Sequence, residues 1–64
     1  MFIDYNTIYE DYKNRWKDCT ITEAALRLTG AVHGVLNNPS YSDSQKIKVI
    51  KIIEETFYEK HMQE

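Results

Sequence analysis

With 64 residues, a formal charge of −2 and a single cysteine, the chain is too short for more than one domain and cannot form an internal disulfide. This charge balance gives no general attraction to nucleic acid or to an anionic membrane surface. No stretch approaches the roughly 18 consecutive apolar residues that a membrane-spanning helix needs.

The beginning of the chain lacks the basic flank and apolar core of a secretory signal peptide. We therefore expect a protein of a reducing, cytoplasmic compartment that carries no metal or cofactor. Small domains without disulfides or metals often rely on oligomerisation, so we expect a homodimer in preference to a monomer. The richness in Ile, Lys, Asn and Tyr is typical of AT-rich genomes, which suggests a low-GC bacterium or one of its phages or plasmids, and a phage or mobile-element origin would fit a chain this small.

The first predicted helix runs from Asp4 to Trp16 and carries a mostly aromatic stripe about 100° wide. The stripe consists of Tyr5, Ile8, Tyr9, Tyr12 and Trp16. It is either the core of a small domain or an exposed binding surface, since Tyr and Trp are enriched at binding hot spots. In the second interpretation, the residues that contact a partner protein are Tyr5, Tyr9, Tyr12, Arg15 and Trp16.

A second helix is predicted to begin near Ile21, because Thr20 and Glu23 form a capping-box pattern. Gly30 and Gly34 lie four residues apart on one face of this helix, and each costs about 1 kcal/mol relative to alanine in a helix interior. We expect Gly34 to end the helix as a C-cap. The alternative is a continuous helix in which another backbone packs against the two glycines.

The segment from Ile21 to Asn37 resembles the start of a helix-turn-helix motif. The Glu-Ala-Ala sequence at 23–25 matches the first helix of that motif, and Gly30 would be its turn glycine, one residue later than the common spacing. The resemblance implies a DNA-binding regulator. However, the residues after Gly30 lack the polar side chains that read base edges, so nucleic acid is the less favoured partner. The basic cluster that could contact phosphates lies on the third helix, at Lys46, Lys48 and Lys51.

The third predicted helix, from Ser42 to Met62, begins with a capping box formed by Ser42 and Gln45. Its apolar residues cover more than half of the helix circumference in two adjacent stripes. The first stripe contains Ile47, Ile50, Ile53, Phe57 and Tyr58, and the second contains Val49, Ile52 and Thr56. A helix this apolar needs cover on two sides, and its own chain is not expected to supply all of that cover.

Charges are segregated along the third helix, with lysines at 46, 48 and 51 and glutamates at 54, 55 and 59. This order opposes the helix dipole, at a cost of a few tenths of a kcal/mol per surface charge. Two such helices running antiparallel would place the lysines of each beside the glutamates of the other, as in an isologous dimer. We therefore expect a dimer interface made of Val49, Ile52, Ile53 and Thr56. The alternative is a monomeric bundle with solvated charges.

No arrangement of residues indicates an enzyme. A catalytic cysteine would need a general base, and His33 lies far from Cys19 in the sequence with nothing nearby to orient it. Cys19, His33 and His61 also lack the short ligand spacing of a zinc site. Glycine-rich phosphate loops and nucleophile elbows are absent from the sequence.

These patterns predict one all-α domain, residues 1–64, in which helices two and three form an antiparallel hairpin and helix one packs across them. The function that fits is a small non-enzymatic binding or regulatory protein that acts through protein–protein contact, such as a phage-encoded inhibitor of a host protein. Two alternatives stay open: a helix-turn-helix-like DNA-binding regulator, and a structural subunit of a larger assembly.

Overall fold

The computed structural model describes residues 3–62, which form three α-helices and no strand. Helix α1 spans Tyr5–Trp16, α2 spans Ile21–Leu36 and α3 spans Asp43–His61. The predicted all-α fold of three helices is confirmed. Each helix begins within one residue of its predicted start, because the start is set by local capping chemistry.

Side-chain caps close the first turn of every helix. The Asp4 carboxylate accepts a hydrogen bond from the backbone of the first turn of α1 at 3.2 Å. At the start of α2, Glu23 donates its backbone N–H to the Thr20 hydroxyl at 3.2 Å and accepts the Thr20 N–H at 3.0 Å. Ser42 and Gln45 repeat this reciprocal pair for α3, at 3.2 and 2.8 Å. Each capping box satisfies two N–H groups that a helix start otherwise leaves unpaired.

Helix α3 lies at the centre of the fold and packs against both α1 and α2. Helices α2 and α3 are joined by the short connection 37–42 and therefore run in opposite directions, as predicted for a helical hairpin. Helix α1 packs across α3, whereas its backbone approaches that of α2 only slightly. This unequal packing leaves space between α1 and α2.

The core forms where the end of α1 meets the middle of α3. Trp16 is only 1% exposed, and its ring contacts the Phe57 ring edge-on, with the centroids 5.8 Å apart. Its indole N–H donates to the buried Thr56 hydroxyl at 2.9 Å, and that hydroxyl lies within 3.0 Å of carbonyl oxygens in the preceding turn of α3. The buried residues of the main cluster are Trp16, Cys19, Ala24, Val35, Val49 and Ile53.

Two predictions about exposed surfaces are wrong. As a predicted partner-contact residue Trp16 would be exposed on helix one, but it is buried against α3, as the core interpretation of the aromatic stripe expects. The expected dimer interface is also misplaced, since Val49, Ile53 and Thr56 are buried within a single chain and Ile52 is partly buried. The physical reason is the size of the Trp16 ring system, which lets a helix of only 12 residues cover this side of α3.

Helix α2 continues through both of its glycines to Leu36, so the prediction that Gly34 ends the helix is wrong. Neither glycine has a positive φ, and no turn follows Gly30. The segment therefore lacks the turn on which the helix-turn-helix interpretation rests. The helix is extended because Val35, one residue beyond Gly34, is buried in the core. Asn37 caps the end instead, with its side-chain amide donating to the His33 carbonyl at 2.8 Å.

Candidate functional site

A groove lies between α1 and α2, where the two helices leave space above α3. One end of it is a cleft of about 250 Å³ lined by Tyr12, Arg15, Trp16, Arg27, Gly30 and Ala31. The other end is a wider cleft between the start of α1 and the α2–α3 connection, with Asp4, Ile8 and Tyr41 among its lining residues. We call these two clefts together the α1–α2 groove.

Two arginines give the first cleft its chemistry. The Arg15 guanidinium lies over the Tyr12 ring, 4.8 Å from its centroid, in a cation–π contact. Arg27 donates a hydrogen bond to the Cys19 sulfur at 2.8 Å, and the Cys19 thiol donates to the Arg15 carbonyl at 3.1 Å. The pKa of Glu23, one turn before Arg27 on α2, is lowered first by the capping hydrogen bond that it accepts and also by an electrostatic interaction with the Arg27 guanidinium. Both arginine side chains are exposed and retain donors for an anionic group.

Gly30 and Gly34 leave the α2 side of the groove open. A methyl group built on either residue would meet no atom within 4 Å. The alternative prediction, that another backbone packs against these glycines, is therefore not fulfilled by this chain itself. Each glycine still costs about 1 kcal/mol of helix stability. The described residues make no contact that offsets this cost, so the open surface remains available to another molecule.

The structure brings together three of the five predicted partner-contact residues. Tyr12 and Arg15 line the groove, and the buried Trp16 forms part of its base. Tyr5 and Tyr9 instead lie against α3. The Lys48 ammonium is 5.4 Å from the centroid of the Tyr5 ring.

Arg27, Gly30 and Gly34 were not among the site residues predicted from the sequence. The sequence did show that the two glycines lie on one face of the second helix and are costly to helix stability. The missing information was the position of α1. Only tertiary packing shows that this face of α2 lies opposite Arg15 and Tyr12.

A second basic cleft, of about 270 Å³, lies between α1 and the end of α3, with Lys13, Lys17 and Lys60 in its lining. Its lining also includes a carboxylate, Glu59, whereas the lining of the arginine cleft in the α1–α2 groove includes none. The Tyr9 hydroxyl donates to Glu59 at 2.9 Å, and this hydrogen bond raises the pKa of Tyr9. The lining of the arginine cleft is at most as positive as that of this cleft. Planar guanidinium groups are, however, better suited than lysines to paired hydrogen bonds with a carboxylate, so the α1–α2 groove is the better candidate for an acidic ligand.

Among residues 3–62, no three His, Cys, Asp or Glu side chains lie together in a way that could hold a metal ion. Cys19 is buried, and His33 is exposed on α2 beside Asn37. Within the same described segment, none of the helices combines the length and the apolar character needed to cross a bilayer.

No protein-family model, curated protein or solved structure matches this chain. Its function is therefore inferred from the groove and the exposed surfaces of the chain alone.

Proposed function

We propose that the protein is a small, non-enzymatic binding protein that regulates another protein by docking an acidic helical segment of it in the α1–α2 groove. The observation that carries this proposal is the pair of exposed arginines, Arg15 and Arg27, in one cleft beside Gly30, whose Cβ position faces open space.

The shape of the groove favours a helix as the occupant. Helix α3 has neighbours in α1 and α2, which barely approach each other, so a fourth helix above α3 would complete a bundle. Ile8, Tyr12 and Ala31 supply apolar contacts along the groove. A partner helix that lays its apolar face into such a groove follows a common recognition mode. Gly30 and Gly34 allow its backbone to approach α2 closely.

The charge of the groove favours acidic side chains on that helix. A carboxylate placed between Arg15 and Arg27 would accept charge-assisted hydrogen bonds from planar guanidinium groups, which are well suited to paired contacts. The cleft at these arginines, about 250 Å³, is smaller than the 300–1,000 Å³ typical of small-molecule sites. This volume is more typical of one part of a larger protein-binding surface than of a pocket for a small metabolite.

Regulation by occupying a partner's surface requires no catalytic chemistry. A phage-encoded inhibitor of a host protein stays within this proposal, as does any regulator that competes for an acidic helix. The DNA-binding alternative has lost its main support, because α2 is continuous through Gly30.

The test is quantitative affinity capture from a lysate of the source organism with wild-type protein, Arg15→Glu and Lys13→Glu. The two variants are matched, since both replace an exposed cation of α1 with an anion, but only Arg15 lines the groove. We expect a protein that wild type and Lys13→Glu capture equally and Arg15→Glu does not. With that partner purified, Arg15→Glu should raise the Kd by tenfold or more, as expected for a lost charge-assisted hydrogen bond.

Circular dichroism melting confirms beforehand that both variants are folded. Equal loss of the partner in both variants would indicate a general charge effect, and equal retention would show that Arg15 lies outside the contact. Either result contradicts docking in the groove.

A further inference from the structure

A second surface lies on the outer face of the α2–α3 hairpin, on the side away from α1. Helix α1 contacts α3 through residues 48, 56 and 59. At 100° per residue, Ile47 and Tyr58 lie on a different side of α3, and both are more than half exposed. On α2, the exposed Ile21 and Leu36 lie on the side opposite the groove-lining Arg27 and Gly30. The hairpin therefore presents apolar side chains from both of its helices on one face.

The exposed stripe of α3 has a self-complementary order. Residues 47, 51, 54 and 58 follow one another at spacings of four, three and four, so they lie along one side of the helix. They are Ile47, Lys51, Glu54 and Tyr58. When a second α3 packs antiparallel with a two-fold axis between positions 52 and 53, Ile47 meets the partner's Tyr58 and Lys51 meets the partner's Glu54. The symmetry repeats each pair twice.

The order of the charges in this stripe also sets the orientation of the second copy. In the antiparallel arrangement each Lys51 meets the partner's Glu54. A parallel arrangement would instead bring lysine beside lysine and glutamate beside glutamate. The charge order therefore selects a second copy in the antiparallel sense.

Within residues 3–62, these charges have no ion-pair partners of their own. Lys51, Glu54 and Glu55 form no ion pair, and Lys48 contacts only the Tyr5 ring. The terminal turns of α3 follow the helix dipole, with Asp43 in the first turn and Lys60 and His61 in the last. Lys51 and Glu54 lie between these terminal turns, where the helix dipole has little effect on a side chain.

We infer that a second copy of this chain docks on the outer face of the hairpin, with the two α3 helices antiparallel. A standard interface of about 800 Å² per partner would use roughly a sixth of the 4647 Å² accessible surface. One broad side of a molecule of 34 × 20 × 17 Å can supply that area. The antiparallel geometry predicted from the sequence is retained, but the interface moves from Val49, Ile53 and Thr56 to the stripe of Ile47 and Tyr58. The α1–α2 groove lies on another side, so this inference stands or fails independently of the proposed function.

The test is sedimentation velocity and equilibrium on wild type, K51E, E54K and the double variant K51E/E54K over a range of micromolar concentrations. We expect a wild-type dimer. Each single variant places like charges across the two-fold axis and should raise the dimer Kd by tenfold or more. The double variant restores opposite charges and should form dimers again. An equimolar mixture of the two single variants should form a heterodimer.

Two further variants distinguish an effect at the outer face of the hairpin from a general effect of placing a charge on the surface. Ile47→Asp should dissociate the dimer, whereas Leu26→Asp, at a residue that is 72% exposed on another side of α2, should not. Circular dichroism checks that all variants retain their helix content. A monomeric wild type, a wild-type assembly larger than a dimer, single charge variants that dimerise like wild type, or equal effects of Ile47→Asp and Leu26→Asp would each overturn the inference.

Discussion

Helix α1 makes one closed contact and one open contact, and the difference between them lies in side-chain chemistry. Against α3, the Trp16 ring excludes water, and its single polar atom is satisfied by Thr56. Against α2, Arg15 and Arg27 share the edge of a groove beside Gly30. An aromatic ring with one hydrogen bond can be buried at little cost, whereas guanidinium groups cannot be buried without an anion. The closed contact is therefore complete within the chain, whereas the open contact leaves both guanidinium groups exposed to water.

The largest loss of stability should come from Thr56→Val, a substitution that weakens the closed contact between α1 and α3. Valine keeps the shape of threonine but removes the acceptor, so the indole N–H of Trp16 is left buried without a partner. We expect the free energy of unfolding to fall by about 1–3 kcal/mol. Urea denaturation followed by tryptophan fluorescence measures this loss.

Thr56→Ser is the matched control for that measurement. Serine keeps the hydroxyl and loses one methyl group, so its cost should be smaller than that of valine if the hydrogen bond is the main contribution. A Thr56→Val protein as stable as wild type would show that closure of the α1–α3 contact depends on packing alone.

Adding methyl groups on the α2 side of the open contact should stabilise the protein, in contrast to Thr56→Val. Gly30→Ala and Gly34→Ala each add a methyl group that meets no neighbour, at a helical position without positive φ. Each should therefore stabilise the free protein by about 1 kcal/mol. For a domain of this size the expected increase in Tm is about 4–8 °C, measured by circular dichroism.

Under the proposed function, the same glycine variants should bind the captured partner more weakly, because the added methyl groups would keep its backbone further from α2. Thr22→Ala, on an exposed position of α2 outside the groove-lining set, provides the control for a change in helix propensity alone. If the glycine variants are more stable but bind the partner as tightly as wild type, the two glycines do not form part of the contact surface.

The smallest effect concerns the helix starts, which belong to neither contact. A hydrogen bond from the Thr20 backbone lowers the pKa of Glu23 below its ordinary value of 4.5. Because the pKa is lowered in the folded state, the resulting stabilisation is present above about pH 4.5 and is lost as the pH falls through the lowered value. Glu23→Gln keeps an acceptor that does not titrate, so its Tm should decrease less on acidification. Parallel pH profiles for the two proteins would contradict this account of the α2 cap.

Much of the fold was predictable because its signals are local. The capping pairs Thr20–Glu23 and Ser42–Gln45 act over three residues, so they indicate where α2 and α3 begin in any packing arrangement. The candidate groove was only partly predictable. Tyr12 and Arg15 were predicted as partner-contact residues of helix one, but the sequence left open whether Trp16 is core or surface, and Arg27 was not predicted.

The sequence by itself determined that there are three helices, where each of them starts and which of their faces are apolar, because these properties depend on neighbours within one or two helical turns. Only the tertiary structure decided which apolar face of α3 its own chain covers, whether α2 continues past Gly34 and which residues Arg15 faces. These outcomes depend on contacts such as that between Trp16 and Thr56, 40 positions apart. They depend on where the Trp16 ring packs on α3 and on the angle at which α1 crosses α3, and residues within one or two helical turns determine neither.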